Sequence, residues 1–347
     1  MRVLSASESI SPAIQRTKQI LFQPFRKGRS WKLAAVAYLS AMGLAFIPYP
    51  LLFFTFAKQI PGTSQNIYLG LIFTVLGLFC TAIMFVFFYL GSRLQFVLFA
   101  FTLEKSALVA PLWRRYASRT WPWLGLKLVL SLIVTVIFSA PIFYSFRSLI
   151  TQAAIQQVQP GQPPSPEVFF ALLSFYLFFG SAILILMLCS SLLSDFVLPP
   201  IALEGASLSD ALGRFLQLIK AEPGQLLLFT LFKILLAIAG MIAMQAVIII
   251  AELILIIPLG LLAFLGWFAL HSLGLVGHLL LIAGALTLGL LFLVGFFYVA
   301  TLVMGCVHTF YQAYALYFLG GRYPQLGDLL EPPAIPSAEL PPLPDLS

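Results

Sequence analysis

The chain has 347 residues, of which 61% are hydrophobic and only 9% charged, with a net charge of +7. Ordinary soluble domains carry about 25% charged residues, and no soluble core hides this much apolar surface, so the soluble classes are excluded. Its apolar runs are apolar on every face instead of alternating over ~10 residues, which excludes a transmembrane barrel and leaves an all-α, polytopic helical membrane protein.

The first 32 residues contain seven Lys or Arg. They lack the apolar core and small-residue cleavage site of a signal peptide, so they read as a basic cytoplasmic segment (1–32) with a short amphipathic helix over Ser11 to Phe22. Six spans follow, at roughly 33–57, 67–92, 124–146, 167–193, 225–256 and 279–304, and form a membrane domain over 33–318. Each has at least the ~20 residues that cross a hydrocarbon layer of ~30 Å. The apolar stretch 259–270, bracketed by Pro258 and His271, is half a span long and reads as a dipping or interfacial segment in an outer loop. The tail, 319–347, is rich in proline (Pro332, Pro333, Pro336, Pro341, Pro342, Pro344) and reads as a solvated polyproline-like end.

Orientation follows from the basic residues, which cytoplasmic loops retain. With the N-terminus inside, fifteen of the nineteen Lys and Arg face the cytoplasm, among them Arg93, Arg114, Arg115, Arg119, Arg214, Lys220 and Arg322. Lys58 and Arg147 face out, while Lys127 and Lys233 fall inside spans. Both termini are then cytoplasmic.

Self-comparison shows two segments matching at an offset of one hundred. Phe96, Val97, Leu98, Leu103, Glu104, Leu108, Leu112 and Arg114 recur as Phe196, Val197, Leu198, Leu203, Glu204, Leu208, Leu212 and Arg214. The repeat-like units run about 67–146 and 167–256, each a span, a cytoplasmic segment and a second span, with the N-terminus as a degenerate third copy. Pro24, Pro122 and Pro223 each follow a short helix and precede a span, where proline ends one helix and starts the next.

In the copy from Ser207 to Lys220, Leu208, Leu212, Phe215, Leu216 and Ile219 share one face, and Ser207 with Asp210 has capping-box spacing. The copy around Pro111 to Arg119 sets Leu112, Trp113 and Tyr116 beside Arg114, Arg115 and Arg119. Aromatic and basic residues together suit a helix in the headgroup layer. Arg114, Arg115, Arg119, Arg214 and Lys220 are therefore the candidate lipid-headgroup contacts.

Ionisable residues within spans are the default functional candidates. Asp195 stands just before Pro199 and Pro200, where a helix break would free carbonyls beside a carboxylate, or it simply marks a helix end. Lys233 and Glu252 lie on one helix 19 residues apart, about 28 Å at 1.5 Å per residue, so they cannot pair with each other. His271 and His278 without a third ligand make a poor zinc site. The three cysteines fall in apolar segments with neither disulfide nor metal spacing. No catalytic constellation, cofactor motif or metal set stands out, and the basic residues border spans instead of forming a nucleic-acid face.

The stretch from Phe196 through Pro199, Pro200, Glu204, Asp210 and Arg214 to Phe215, followed by Lys220 and a long span, resembles a signature of six-helix bacterial membrane proteins. That group includes the membrane domain attached to some glycerophosphoryl diester phosphodiesterases. The resemblance implies a bacterial inner-membrane location and six helices. It brings no catalysis, because the soluble barrel that bears the phosphodiesterase site has no counterpart here. The expected function is a non-enzymatic organiser that engages anionic lipids or a membrane protein partner. The alternative is a transporter or permease for a lipid-like or small polar solute, with Asp195 and Lys233 lining its path.

Overall fold

The computed structural model describes residues 2–23, 27–44, 46, 67–104, 108–158 and 166–331, and every regular element among them is a helix. In chain order these are α1 (Ile10–Phe22), α2 (Lys27–Ala41), α3 (Ile67–Glu104), α4 (Val109–Arg115), α5 (Ala117–Val158) and α6 (Pro166–Phe196). They continue as α7 (Leu198–Leu203), α8 (Leu208–Ala221), α9 (Pro223–Leu270), α10 (Gly274–Gly320) and α11 (Pro324–Leu330), with a single 3₁₀ turn, His271–Leu273, between α9 and α10.

Among the described residues, four stretches are long and apolar enough to cross a membrane: Thr74–Glu104, Ala117–Thr151, Pro166–Phe196 and Pro223–Gly320. The last holds both α9 and α10. Away from their ends these helices expose apolar side chains on all sides; Leu286 is 70% exposed and Ile242 67%. A surface this apolar is covered by lipid, not water, and helices pair every backbone group internally, as the bilayer requires.

The chain divides into two compact units. The first contains Met1–Tyr38, Leu98–Ala107 and Leu216–Ser347. Here α1 buries Ala13, Arg16, Thr17, Ile20 and Leu21, the i, i+3, i+4, i+7, i+8 stripe of an amphipathic helix, and packs on α10. Gly305 of α10 admits α2 so closely that a Cβ there would run into the Ala34 backbone. The α9–α10 hairpin is tied by Phe229, stacked on Tyr314 at 5.0 Å and Phe318 at 4.4 Å. Tyr311 Oη also donates to the Leu236 carbonyl at 3.0 Å.

The second unit contains Leu39–Val97 and Leu108–Phe215. The α5–α6 hairpin closes over Val134, Ile142, Ala182 and Leu186. Gly43 and Gly91 meet backbone to backbone, and a Cβ on either would collide with main-chain atoms of the other segment.

Three expectations are corrected. The first span does not run as one helix to residue 57. The α-helix ends at Ala41, and Met42, Gly43 and Leu44 turn through i→i−3 bonds of 3.1, 3.1 and 3.0 Å; the contact with Gly91 demands that tight turn, and residues 47–57 lie outside the described residues. The stretch 259–270 is not a separate segment but the end of α9, which absorbs Pro258 in its interior. The second short helix stops at Arg115, and α5 begins at Ala117, so Arg119 and Pro122 lie in α5. Pro122 is the sixth residue of α5 and so lies inside the helix, past the N-terminal turn where a missing amide is free. Pro24, Lys58 and the proline-rich tail from 332 on lie outside the described residues.

Candidate functional site

In the second unit, four polar side chains converge on the end of α2. A helix that breaks in a membrane segment frees carbonyls that must pair inside the protein, and three of them do. Gln95 Nε2 donates to the Ser40 carbonyl at 3.2 Å, Lys127 Nζ to the Gly43 carbonyl at 2.7 Å, and Ser131 Oγ to the Phe46 carbonyl. Gln95 Oε1 accepts from both Trp123 Nε1, at 3.0 Å, and Lys127 Nζ. The ammonium also lies 4.7 Å from the centre of the Trp123 ring, in cation–π range. Lys127 is 1% exposed. Its placement follows from helix spacing: Trp123, Lys127 and Ser131 are i, i+4, i+8 on one face of α5.

Sequence reasoning placed Lys127 inside a span without assigning it a partner, and missed Gln95, Trp123 and Ser131. A lysine in an apolar run was the available signal. Its partners come from 32 and 84 residues away, which no local pattern reveals.

The basic residues divide into two sets. Several close helix C-termini, whose last carbonyls lack helical partners and carry the negative end of the dipole. Arg16 donates to the Thr102 and Leu103 carbonyls at 2.9 and 2.6 Å, at the end of α3; its burial works against the charge and lowers its pKa from the usual value. Arg93 grips the Trp113 carbonyl at 3.1 and 2.7 Å and lies 4.1 Å from the centre of that indole.

Arg119 donates to the Ile201 and Ala202 carbonyls at 3.0 and 2.6 Å, while the Pro200 carbonyl takes the amides of Glu204 and Ala206. Three of the last carbonyls of α7 are thereby paired. Gly205, at φ 70°, makes the turn that follows, and a Cβ there would sit 3.0 Å from an Arg119 nitrogen. Arg322 holds the Phe318 and Leu4 carbonyls and pairs with Glu222 at 2.9 Å.

The second set is turned outward. Arg114, Arg115 and Lys220 are exposed, as are Leu108 and Trp121 near the two arginines. Arg115 also lies over the Tyr116 ring at 5.5 Å. Arg214 is half committed: it forms a two-pronged pair with Glu204, at 2.9 and 2.8 Å. Ser207 donates to Asp210 Oδ2 at 2.6 Å and accepts from the Asp210 amide at 3.2 Å, the capping box at the start of α8.

The intramembrane candidates are not brought together. Asp195 is buried at the end of α6, two residues before Val197, which separates α6 from Pro199 and Pro200 of α7. Lys233 lies over the Phe229 ring at 5.9 Å. Glu252 sits in a shallow crease lined by Ile248, Ala251, Leu255, Phe296 and Val299. His271 and His278 bond to carbonyls of their own turns. Among the described residues no three His, Cys, Asp or Glu side chains group closely enough to hold a metal.

One family match covers residues 4–329, from the turn before α1 to the end of α11. The chain belongs to DUF7544, a family of unknown function. The DUF7544 region takes in both units, the Lys127 cluster and every capping arginine, and ends where the proline-rich tail begins. No curated protein and no solved structure matches the chain.

Proposed function

We propose that this protein is a non-enzymatic membrane organiser whose exposed basic and aromatic side chains engage anionic lipid headgroups, with a membrane protein partner as its second ligand. The observation that carries this reading is the division of the basic residues. Arg16, Arg93, Arg119 and Arg322 serve internal carbonyls, whereas Arg114, Arg115 and Lys220 face outward beside exposed Leu108, Trp121 and Leu216. Cationic and aromatic groups on short helices suit the headgroup layer. Retention of phosphatidylglycerol by the purified protein, read by native mass spectrometry, tests it. The triple variant Arg114→Gln, Arg115→Gln, Lys220→Gln should lose most of that lipid, and unchanged retention would refute the reading.

The topology that accompanies this reading has six crossings: α3, α5, α6, α9, α10 and one begun by α2. Both termini are cytoplasmic, in a bacterial inner membrane, with the short helices at the interface. Duplication is supported by recurring contacts. Phe96 stacks on Tyr116 at 5.3 Å, and Phe196 on Phe215 at 5.4 Å. Arg16 of α1 serves the carbonyls of residues 102 and 103, and Arg119 those of 201 and 202. The resemblance to the membrane domain of phosphodiesterases rests on the 196–215 pattern.

One observation favours transport of a lipid-like or small polar solute instead. Broken helices with buried polar side chains recur at transporter binding sites, and breaks occur here at Gly43, near Lys127, and at Val197, beside Asp195. Loss of solute uptake or lipid flipping in liposomes on Asp195→Asn would support that reading, and full activity would remove Asp195 from it.

A further inference from the structure

The two ends of the chain carry opposite charge. Beyond Arg322 the sequence has no Lys or Arg but four acids, Asp328, Glu331, Glu339 and Asp345, and the last two bracket the apolar run Leu340-Pro341-Pro342-Leu343-Pro344. The first 32 residues contain seven Lys or Arg, and Glu8 is the only acid before Glu104. These ends meet within the first unit. Arg322 donates to the Leu4 carbonyl at 3.0 Å, and a Cβ on Gly321 would strike the backbone of Arg2 and Val3. α11 packs on α10, as α1 does. Tyr317 of α10 lies within electrostatic range of both Arg16 of α1 and Glu331, the last described residue. The chain therefore leaves the described region beside α1.

α1 has a second stripe outside the one it buries. Ile14, Lys18 and Phe22 stand at i, i+4 and i+8, all exposed, Ile14 to 42% and Phe22 to 48%. Ser30 Oγ donates to the Leu21 carbonyl at 2.6 Å, which brings the start of α2, with exposed Trp31 and Lys32, to the same end of α1. The surface is apolar with lysines set into it. Among the described residues neither Lys18 nor Lys32 forms an ion pair.

We infer that residues 332–347 dock on this surface, with Glu339 and Asp345 pairing with Lys18 and Lys32 and the run from Leu340 to Leu343 lying against Ile14, Phe22 and Trp31. The pattern of the tail, acid–apolar–acid, is the counterpart of a surface in which lysines and apolar side chains alternate. The reach is sufficient. Glu339 is eight residues beyond Glu331, up to about 27 Å of extended chain, whereas the 13 residues of α1 span about 20 Å. A segment tethered this closely also has an effective concentration of the order of mM, so weak contacts are enough. The tail is favoured over an anionic lipid surface because it starts beside α1 and because its own acids would be repelled by such a surface. Docked, it withholds Lys18 and Lys32 from headgroups. The inference is independent of Arg114, Arg115 and Lys220.

The test treats the full chain in mild detergent, free of anionic lipid, with a carbodiimide that joins a lysine amine directly to a carboxylate, and maps the links by mass spectrometry. The native protein should link Lys18 or Lys32 to Glu339 or Asp345 within one chain, and about 1 M salt, where screening acts over about 3 Å, should remove the links. The pair Glu339→Gln, Asp345→Gln should raise acylation of the Lys18 amine severalfold. Exchanging the charges, Lys18→Glu with Glu339→Lys, should restore a link. No link from the tail to either lysine, links that form only between chains, or Lys18 acylation unchanged in the Gln variant would overturn the assignment. Protection of Lys18 by phosphatidylglycerol vesicles but not by the tail would overturn it too, and would make this surface a lipid contact.

Discussion

The ammonium of Lys127 lies 2.7 Å from the carbonyl oxygen of Gly43, a residue 84 positions earlier in the turn that follows α2. This bond joins α5 to a helix break. Gln95 of α3 shares the ammonium and extends the same connection to the Ser40 carbonyl. Lys127→Met keeps most of the side-chain volume but leaves the Gly43 carbonyl and Gln95 Oε1 short of a donor. Losing a buried partner of this kind costs about 1–3 kcal/mol, so thermal unfolding in detergent should occur several degrees earlier. Ser131→Ala should have a smaller effect in the same direction.

Arg119 is expected to behave as an internal cap. Arg119→Gln removes charge-assisted bonds to Ile201 and Ala202, worth about 1.5–3 kcal/mol where well buried and less at this half-buried site. Lower thermal stability with unchanged phosphatidylglycerol retention is the expected result. Arg114→Gln, at an exposed position, should leave stability within about 0.5 kcal/mol.

The crossing of Gly43 and Gly91 admits no side chain, because what a Cβ would meet is backbone. Gly91→Val should therefore cost at least about 2 kcal/mol, in the range for overpacked sites. Gly125→Ala, where nothing lies within 4 Å, should be neutral or mildly stabilising in a helix. Parallel thermal melts of the two variants check the contrast.

The N-terminal turn has a pH dependence. The Glu8 carboxylate accepts the Ser5 amide at 2.9 Å and the Ser5 hydroxyl at 2.8 Å, and Arg2 stands 3.2 Å away. The Ser5 bonds, chiefly, hold its pKa below the usual 4.5. A lowered value means that the bonds contribute fully above the unfolded pKa and are lost as pH falls through the folded one. Amide exchange of Ser5 should be slow near pH 6 and accelerate, relative to intrinsic rates, below about pH 4. In Glu8→Gln that dependence should vanish.

The long helices were legible because a run apolar on all faces has one stable form in lipid. α1 and α8 were legible from their stripes and, in α8, from Ser207 and Asp210. The break after Ala41 was not, since Gly43 turns where it does because Gly91 lies against it, and sequence shows the glycines without the contact. The basic residues were legible as a group but not by role. Counting Lys and Arg treats Arg119 and Arg114 alike, yet one closes the end of α7 and the other faces outward. C-terminal carbonyls can be capped from any sequence distance, and Arg16 does so across 86 residues. The continuity of α9 through Pro258 was hidden for the opposite reason: a local breaker signal was overridden by a helix already propagating on both sides of it.

The central claim, that outward-facing basic residues bind anionic lipid while inward-facing ones hold the fold, is tested most directly by the melting temperature during titration with phosphatidylglycerol. A ligand that binds only the folded state raises that temperature as its concentration exceeds Kd. The native protein should be stabilised progressively. Arg119→Gln should start lower and gain as much, and the triple variant Arg114→Gln, Arg115→Gln, Lys220→Gln should start near the native value and gain little. A triple variant that is stabilised as strongly as the native protein would contradict the account.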